Sequence, residues 1–460
     1  MENALPNELL SSLENIQGFN KYAFEKVHYH PQAITSIRFN KNKYERFSSS
    51  KNFTHPHFNL NEPVPWCAYG FYLNERPQFT FDPLLHAGAY YVQEASSMFL
   101  WEILQQTFTP HSNIKILDLC AAPGGKTTLL TSYFKNALIV SNEVIKSRAN
   151  ILYENVTKWG SENIVITNND AADYKRLKNY FDLIVVDAPC SGSGLFRKDE
   201  DAIEEWSENN VQLCSQRQQR IFADIYSSLK HDGILIYSTC SYSQQEDEDI
   251  LDWLQDNFSF NSIQLQLNNE WNIDETTSPK HKACGYRFWP HKLKGEGFFI
   301  AALHKNEEEN YSKQNTLSLL QVSNKEMNLL DEWLIKKDWL FFKQQEIIRV
   351  IHKQWNSDVA LLQKNLYLKK AGVQLGEIKG KDLVPHHELA LSSIISDDIT
   401  KIELTENEAL QYLRKKEISV NTDYKGWALC TYKSFPLGWI KILHNRVNNY
   451  YPTEWRIRKE

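Results

Sequence analysis

Between residues 114 and 303, short apolar runs alternate with longer stretches in which apolar positions recur every three or four residues. The runs IKILDL (114–119), ALIVSNE (137–143), NIVIT (163–167), FDLIVVD (181–187), GILIYST (233–239) and GEGFFIAAL (295–303) read as strands. The stretches 145–158 and 208–230 read as amphipathic helices between them. This alternation predicts an α/β domain over 81–305, a doubly wound sheet with helices on both faces. Residues 1–80 mix short helical and extended patterns and form an N-terminal α/β extension, with a Pro-rich connector at Pro63–Trp66. The polar segment HKNEEENYSKQN (304–315) reads as a linker to a separate C-terminal region, 316–460, rich in Trp, Tyr and Lys.

At 460 residues the chain is too long for one ordinary core. The opening MENALPNELLSSLENIQ lacks a cationic stretch followed by an apolar run, so no secretory leader is expected. No apolar run is long enough to span a membrane. Seven scattered cysteines, an odd number, do not form a disulfide framework and point to a reducing cytoplasm, where single thiols can do chemistry. The net charge of −6 conceals a split. Residues 311–460 carry +5 and residues 1–80 carry +1, while 81–310 carry −12. Mildly basic ends permit RNA contact without demanding it.

The most informative segment is IKILDLCAAPGGKTTLL (114–130), a strand, a turn of small residues and a helix start. Small residues let backbone approach a ligand, and a helix N-terminus offers free N–H groups. A phosphate-binding loop of the form G-x-x-x-x-G-K-[ST] is the sharp rival, but Cys120 stands at its first glycine. The next strands separate the two readings. Glu143 ends the second strand, where an acid accepts hydrogen bonds from a ribose diol. Asp170, after the third strand, is placed to receive an adenine amino group, and Asp187 ends the fourth. A ribose and an adenine without phosphates fit S-adenosyl-L-methionine (AdoMet), and nothing in the sequence points to a metal.

Two cysteines lie at the ends of successive strands, Cys190 in DAPCSGSG (187–194) and Cys240 in STCSYS (238–243). A thiolate at that place has a chemical use. Carbon 5 of cytosine is too weak a nucleophile to attack a methylsulfonium until a thiolate adds to carbon 6 and makes it enamine-like. A thiol needs help to ionise at neutral pH. Ser243-Gln244-Gln245-Glu246 has the S-x-x-E form of a capping box, which predicts a helix starting just past Cys240, its dipole favouring a thiolate.

With these residues assembled, the chain resembles the Fmu/Sun family of RNA cytosine-5 methyltransferases, in its RsmF-like branch. The matching segments, in family order, are YYVQEASSM (90–98), DLCAAPGGKTT (118–128), DAPCSGSGLFRKD (187–199), YSTCSYS (237–243) and GEGFF (295–299). SIRFNKNK (36–43) and VPWC (64–67) match more loosely, and KGWALCTYKSFPLGWIK (425–441) is similar to the branch's RNA-binding tail. The resemblance implies a Rossmann-like class I AdoMet-dependent fold with a PUA-like C-terminal end. It implies an AdoMet site lined by Cys120, Ala121, Ala122, Pro123, Gly124, Gly125 and Lys126, with Glu143 on the ribose and Asp170 near the adenine. Asp187 would sit where AdoMet meets cytosine, Cys240 would be the nucleophile, and Cys190 would assist release of the product.

The implied substrate is small-subunit ribosomal RNA, free or in the particle, and the enzyme is expected to be a cytoplasmic monomer. The alternatives are tRNA as substrate, a non-catalytic RNA-binding assembly factor, and a P-loop-like NTPase. A cytosine must be single-stranded or flipped out to reach a strand-end thiol. The tail supplies Lys433, Lys441, Arg446, Arg456, Arg458 and Lys459 for phosphates. Tyr432, Phe435, Trp439, Tyr450, Tyr451 and Trp455 are interleaved with them as stacking surfaces or as a small aromatic core. The pairs His28/His30, His55/His57 and His386/His387 lack metal-ligand spacing and read as loop or surface residues.

Overall fold

Twenty-two strands in four sheets order the chain in a computed structural model that describes residues 5–29, 32–48, 55–307, 317–344 and 347–459. Thr35–Phe39 (β1), Glu62–Pro63 (β2), Gly70–Leu73 (β3) and Tyr90–Val92 (β4) form an antiparallel sheet in the order β2-β3-β1-β4. The division expected at 80/81 therefore cuts a sheet, and the N-terminal layer runs on through β4.

The central sheet takes Lys115–Asp118 (β5), Leu138–Asn142 (β6), Ile164–Thr167 (β7), Phe181–Asp187 (β8) and Leu229–Thr239 (β9). It also takes Phe260–Ser262 (β10), Asp274–Thr277 (β11), Cys284–Phe288 (β12) and Phe298–Lys305 (β13). The first five are parallel, in the order β9-β8-β5-β6-β7. β13 lies antiparallel beside β9. Successive residues of each buried strand feed opposite faces, as the pleat requires. Leu117, Val140, Ile184 and Leu235 pack with the helices Glu208–Ile225 and Glu248–Asn257 on one side. Ile116, Ile139, Leu183 and Ile236 pack with the helices Leu100–Thr107 and Gly125–Tyr133 on the other. The expected doubly wound α/β architecture is present.

Beyond residue 316 the strands are Trp339–Gln344 (β14), Ile347–His352 (β15), Leu368–Ala371 (β16), Val373–Lys379 (β17) and Asp382–Pro385 (β18). Lys401–Glu403 (β19), Gly426–Tyr432 (β20), Phe435–Ile442 (β21) and Val447–Asn449 (β22) make the last sheet. β14, β15, β17 and β18 pair among themselves, but β16 leaves them and adds to the central sheet, antiparallel to β7. Leu340, Phe342, Ile351, Val359 and Leu362 share one buried cluster with Leu117 and Val165. The C-terminal region is thus not the separate unit expected; it completes one edge and one face of the catalytic layer. Past Glu307, the segment read as a linker lies outside the described residues.

The N-terminal helices also pack inward. Leu9, Leu10, Leu13 and Phe24 share a cluster with Phe196, Trp206, Tyr242 and Trp289. His28, on the helix Lys21–Tyr29, lies 4.1 Å from the Phe24 ring, its Nδ1 2.7 Å from the Phe24 carbonyl and its Nε2 buried without a hydrogen-bond partner among the described residues. Burial lowers its pKa to about 4. The folded state therefore prefers the neutral ring. The stability this provides is present above the unfolded pKa near 6.5 and is lost as pH falls towards 4. Relative to His28→Gln, the native chain should lose up to about 3 kcal/mol between pH 7 and pH 4. Urea unfolding of both proteins across that range measures it; parallel pH profiles would remove His28 as the cause.

Candidate active site

β5 ends in Asp118, a buried carboxylate that accepts a hydrogen bond from Thr127 Oγ1 at 2.6 Å. Burial pushes its pKa up to about 7, against the Thr127 bond. The chain then turns through Cys120, Ala121, Ala122 and Pro123 to Gly124, whose φ of +117° lies in the left-handed region that favours glycine. Gly125 opens the helix. The Ala121 N–H donates to the Asn142 carbonyl at 2.8 Å, and Arg148 Nη2 donates to the Ala122 carbonyl at 2.8 Å. From β1, the buried Arg38 donates to Thr128 Oγ1 at 2.6 Å and to the Gly125 carbonyl at 3.2 Å, and stacks over Trp159. The N-terminal sheet is thereby fastened to the first turn of this helix.

β6 ends in Asn142 and Glu143 follows it; both are buried. Asn142 is a hub. Its Nδ2 donates to the carbonyls of Leu119 (3.1 Å) and Asn169 (3.0 Å), and its Oδ1 accepts from Thr167 Oγ1 and the Asn169 N–H, both at 3.0 Å. It locks together the ends of β5, β6 and β7. Glu143 Oε1 accepts from the Ile145 N–H at 2.9 Å, and Oε2 lies 3.3 Å from Arg148 Nη1. Asp170 is exposed and accepts from the Ala172 N–H at 3.0 Å. Glu143 and Asp170 line one cavity of about 390 Å³, whose apolar walls include Ile145, Ala171 and Ile221.

A second cavity, about 530 Å³, shares Cys120, Arg148 and Pro189 with the first. It holds the rest of the predicted turn except Gly124, together with Asp187, Cys190 and Cys240. β8 and β9 are neighbours in register, Asp187 opposite Ser238. Cys190 and Cys240 therefore leave adjacent strand ends, and their sulfurs stand 3.0 Å apart. The hydrogen bond between them, then burial, holds the Cys190 thiol well above its ordinary pKa. Asp187 is anchored at both oxygens, by Lys126 Nζ at 2.7 Å and by Ser238 Oγ at 2.8 Å. A phosphate-binding loop would leave that ammonium free for the ligand; here it is committed to a carboxylate.

Behind the cysteines lies an acidic segment that sequence reading misassigned. Ser243 makes no side-chain cap; Gln244–Glu246 is a single 3₁₀ turn, and the α-helix begins only at Glu248. The expected capping box is absent, and with it the proposed dipole at Cys240. Glu246 turns inward and is fully buried, accepting from the Ser191 N–H (2.7 Å), Ser191 Oγ (2.5 Å) and Ser241 Oγ (2.7 Å). Tertiary donors outcompete the local cap. Arg287, also buried, donates to Glu248 Oε1 at 2.7 Å and pairs with Asp247 at 3.0 Å. Gly194 passes so close that a Cβ there would lie 2.4 Å from the Gly297 carbonyl oxygen and 2.8 Å from that of Cys240.

Of the two readings of the tail aromatics, a core holds for most of them. Tyr432, Phe435, Trp439 and Tyr451 are buried in a core that the last sheet shares with Phe39, Tyr44 and Tyr90 of the N-terminal layer, while Tyr450 stays exposed. Lys433, Arg446, Arg456, Arg458 and Lys459 remain on the surface. His55 and His387, read as loop or surface residues, are buried, His55 with its Nε2 2.9 Å from Asp82. Among the described residues no three His, Cys, Asp or Glu side chains gather as metal ligands, and no helix is long and apolar enough to cross a membrane.

Comparison with known proteins matches this architecture along the chain. Residues 5–95 match the N-terminal domain of 16S rRNA methyltransferase RsmF, residues 105–304 match 16S rRNA methyltransferase RsmB/F, and residues 399–457 match the methyltransferase RsmF PUA domain. Ribosomal RNA small subunit methyltransferase F of Psychromonas ingrahamii is 32% identical over 416 residues, covering 85% of this chain and 84% of that protein. Its namesake from Shewanella oneidensis is 28% identical, covering 92% and 89%. Among solved structures, a methyltransferase homolog protein from Pyrococcus horikoshii superposes with a TM-score of 0.52 at 26% identity, over 65% of this chain and all of that one. NSun6 from Pyrococcus horikoshii, solved with SFG, has a TM-score of 0.55 at 20% identity, over 67% and 100%. The chain belongs to the RsmB/F family of 16S rRNA methyltransferases.

Proposed function

We propose that this chain methylates carbon 5 of a cytosine in small-subunit ribosomal RNA, using AdoMet and a covalent adduct on Cys240. The observation that carries the reading is the pair of thiols 3.0 Å apart in a cavity that opens onto an acid-lined one. The two cavities divide the cofactor in a chemically sensible way. Glu143 and Asp170, beside apolar Ile145 and Ile221, suit a ribose diol and an adenine. The turn Cys120–Lys126 and Asp187 suit the amino-acid end and the target base. AdoMet, when bound, supplies an electrophilic methyl group.

The protein's own groups then act in order. The Cys240 sulfur bonds to carbon 6 of a flipped cytosine, which shifts an electron pair to carbon 5. Asp187, fixed by Lys126 and Ser238, accepts a hydrogen bond from the base. After carbon 5 gains the methyl group it gives up its proton to solvent, the freed pair restores the 5,6 double bond, and the sulfur–carbon pair returns to sulfur. Cys190, kept as a thiol by its raised pKa, donates a hydrogen bond to the departing Cys240 thiolate. The exposed cations of the C-terminal sheet hold RNA phosphates. We place the protein in the cytoplasm, acting as a monomer.

Glu143→Ala should weaken AdoMet binding about 10- to 150-fold, the loss of a charged hydrogen-bond partner worth roughly 1.5–3 kcal/mol. Calorimetry on the folded variant reads this; unchanged affinity would take Glu143 out of the site. The reading as a whole is tested by incubating the chain with small-subunit rRNA, tRNA and isotopically labelled AdoMet, then digesting the RNA to nucleosides. Labelled 5-methylcytidine from the rRNA alone supports it. Label in tRNA alone moves the substrate, and no labelled 5-methylcytidine in either overturns the reaction.

A further inference from the structure

Each of the two cysteines is followed by a serine, and both serines bind one buried carboxylate. Ser191 donates its N–H and its hydroxyl to Glu246 at 2.7 and 2.5 Å, and Ser241 donates its hydroxyl at 2.7 Å. The Ser241 hydroxyl also accepts from the Ser243 N–H at 3.0 Å, which fixes its direction. The main chain of Glu246 is held in turn, because the Tyr237 hydroxyl donates to its carbonyl. Tyr237 OH also lies 2.9 Å from Gln218 Oε1, and Gln218 Nε2 donates to the Pro189 carbonyl at 3.0 Å, one residue before Cys190. A closed network therefore spans both cysteine loops, and of its members only Pro189 lines the cavity.

We infer that Glu246 is a positioning residue that sets the distance between the Cys190 and Cys240 thiols, and so governs release of the methylated base. The inference rests on the covalent reading above and concerns a residue that touches neither base nor cofactor. The two loops depend on it unequally. Cys240 follows directly on β9, and its carbonyl accepts from the Gly194 N–H at 2.8 Å. Cys190 lies three residues past the end of β8, in a loop whose next residue gives two hydrogen bonds to Glu246. Loss of the carboxylate therefore loosens Cys190 more than Cys240, and slows release more than attack.

The test uses the full chain with small-subunit rRNA and AdoMet, following the protein–RNA adduct by quenching and denaturing gel. Glu246→Gln should bind AdoMet within about twofold of the native chain and form adduct within about threefold of its rate. Adduct decay should slow at least tenfold. A role in folding alone would shift formation and decay together. Ser191→Ala removes the hydroxyl's bond to Glu246 and its 3.4 Å contact with Ser241 Oγ but keeps the N–H bond, and should slow decay in the same direction by a smaller factor, which keeps the test open if Glu246→Gln does not fold. Decay at the native rate in either folded variant, or equal slowing of formation and decay, overturns the assignment. Cys190→Ala is run alongside. If it accumulates adduct while Glu246→Gln decays normally, only the role of Glu246 falls; if it forms no adduct, the covalent reading falls and takes this assignment with it.

Discussion

Cys240→Ala is expected to abolish methylation and covalent capture of RNA carrying 5-fluorocytosine, whereas Cys190→Ala should form the adduct and fail to let it go. The two thiols are neighbours 3.0 Å apart, yet their environments differ. Cys190, half-buried, is hydrogen-bonded to Cys240, and that bond and the loss of solvent around it both favour its neutral thiol. A neutral thiol is a donor to a leaving thiolate and a poor nucleophile. Cys240 extends directly from β9 into the same cavity as Asp187 and Lys126. Losing a nucleophile that forms the covalent intermediate removes the reaction path, so activity should fall below detection. Fluorine at carbon 5 blocks the last proton loss, so any attack is recorded as a permanent band on a denaturing gel. A band that survives Cys240→Ala and vanishes in Cys190→Ala would exchange the two roles.

The second large effect is on folding. Ending the chain near residue 312 should yield an insoluble or unfolded protein that does not bind AdoMet. The sequence, with its polar segment at 304–315, points the other way, to a free-standing catalytic unit. The packing of the C-terminal region argues against that expectation. Truncation removes β16 from the edge of β7, and with it the Gly372 N–H bond to the Ile164 carbonyl at 2.9 Å. It strips Leu340, Phe342, Ile351, Val359, Leu362 and Leu368 from the cluster that covers Leu117 and Val165. It also removes Asp358, which accepts from Tyr180 OH at 2.9 Å and pairs with Lys115 at 3.3 Å at the start of β5. Burial of each large apolar side chain is worth roughly 1.5–3 kcal/mol, and a whole domain is stable by only about 5–15 kcal/mol. The loss exceeds the reserve. A soluble, cooperatively melting fragment that binds AdoMet as the full chain does would refute this.

The parallel strands and their carboxyl-end residues were legible because strands buried on both faces are short unbroken apolar runs, closed here by Asp118, Glu143 and Asp187. β16 was not. LKKA carries two lysines in four residues, and only its partner, β7, makes it a strand. Periodicity reports a segment's own face and is silent about what lies opposite. The same limit explains Glu246. Ser243–Glu246 satisfies the local capping pattern, but Ser191, more than fifty residues earlier, and Ser241 claim the carboxylate. Arg38 and Asn142 were missed for a related reason. Each is a polar residue that nothing in its own strand marks out, and its value lies in bonds to the ends of other elements. For the tail, the interleaving of aromatic and basic residues was read partly as a surface. β21 is buried at seven of its eight positions, which is why Phe435 and Trp439 are core while the cations project.

The central claim is that this chain places a methyl group on carbon 5 of a cytosine in small-subunit rRNA through Cys240. Its most direct test is bisulfite sequencing of rRNA from cells lacking the chain, complemented either by the native protein or by Cys240→Ala. One cytosine of the small-subunit rRNA should lose its protection on deletion, regain it with the native protein and stay unprotected with Cys240→Ala. Unchanged protection of every rRNA cytosine on deletion, or full restoration by Cys240→Ala, would contradict the account.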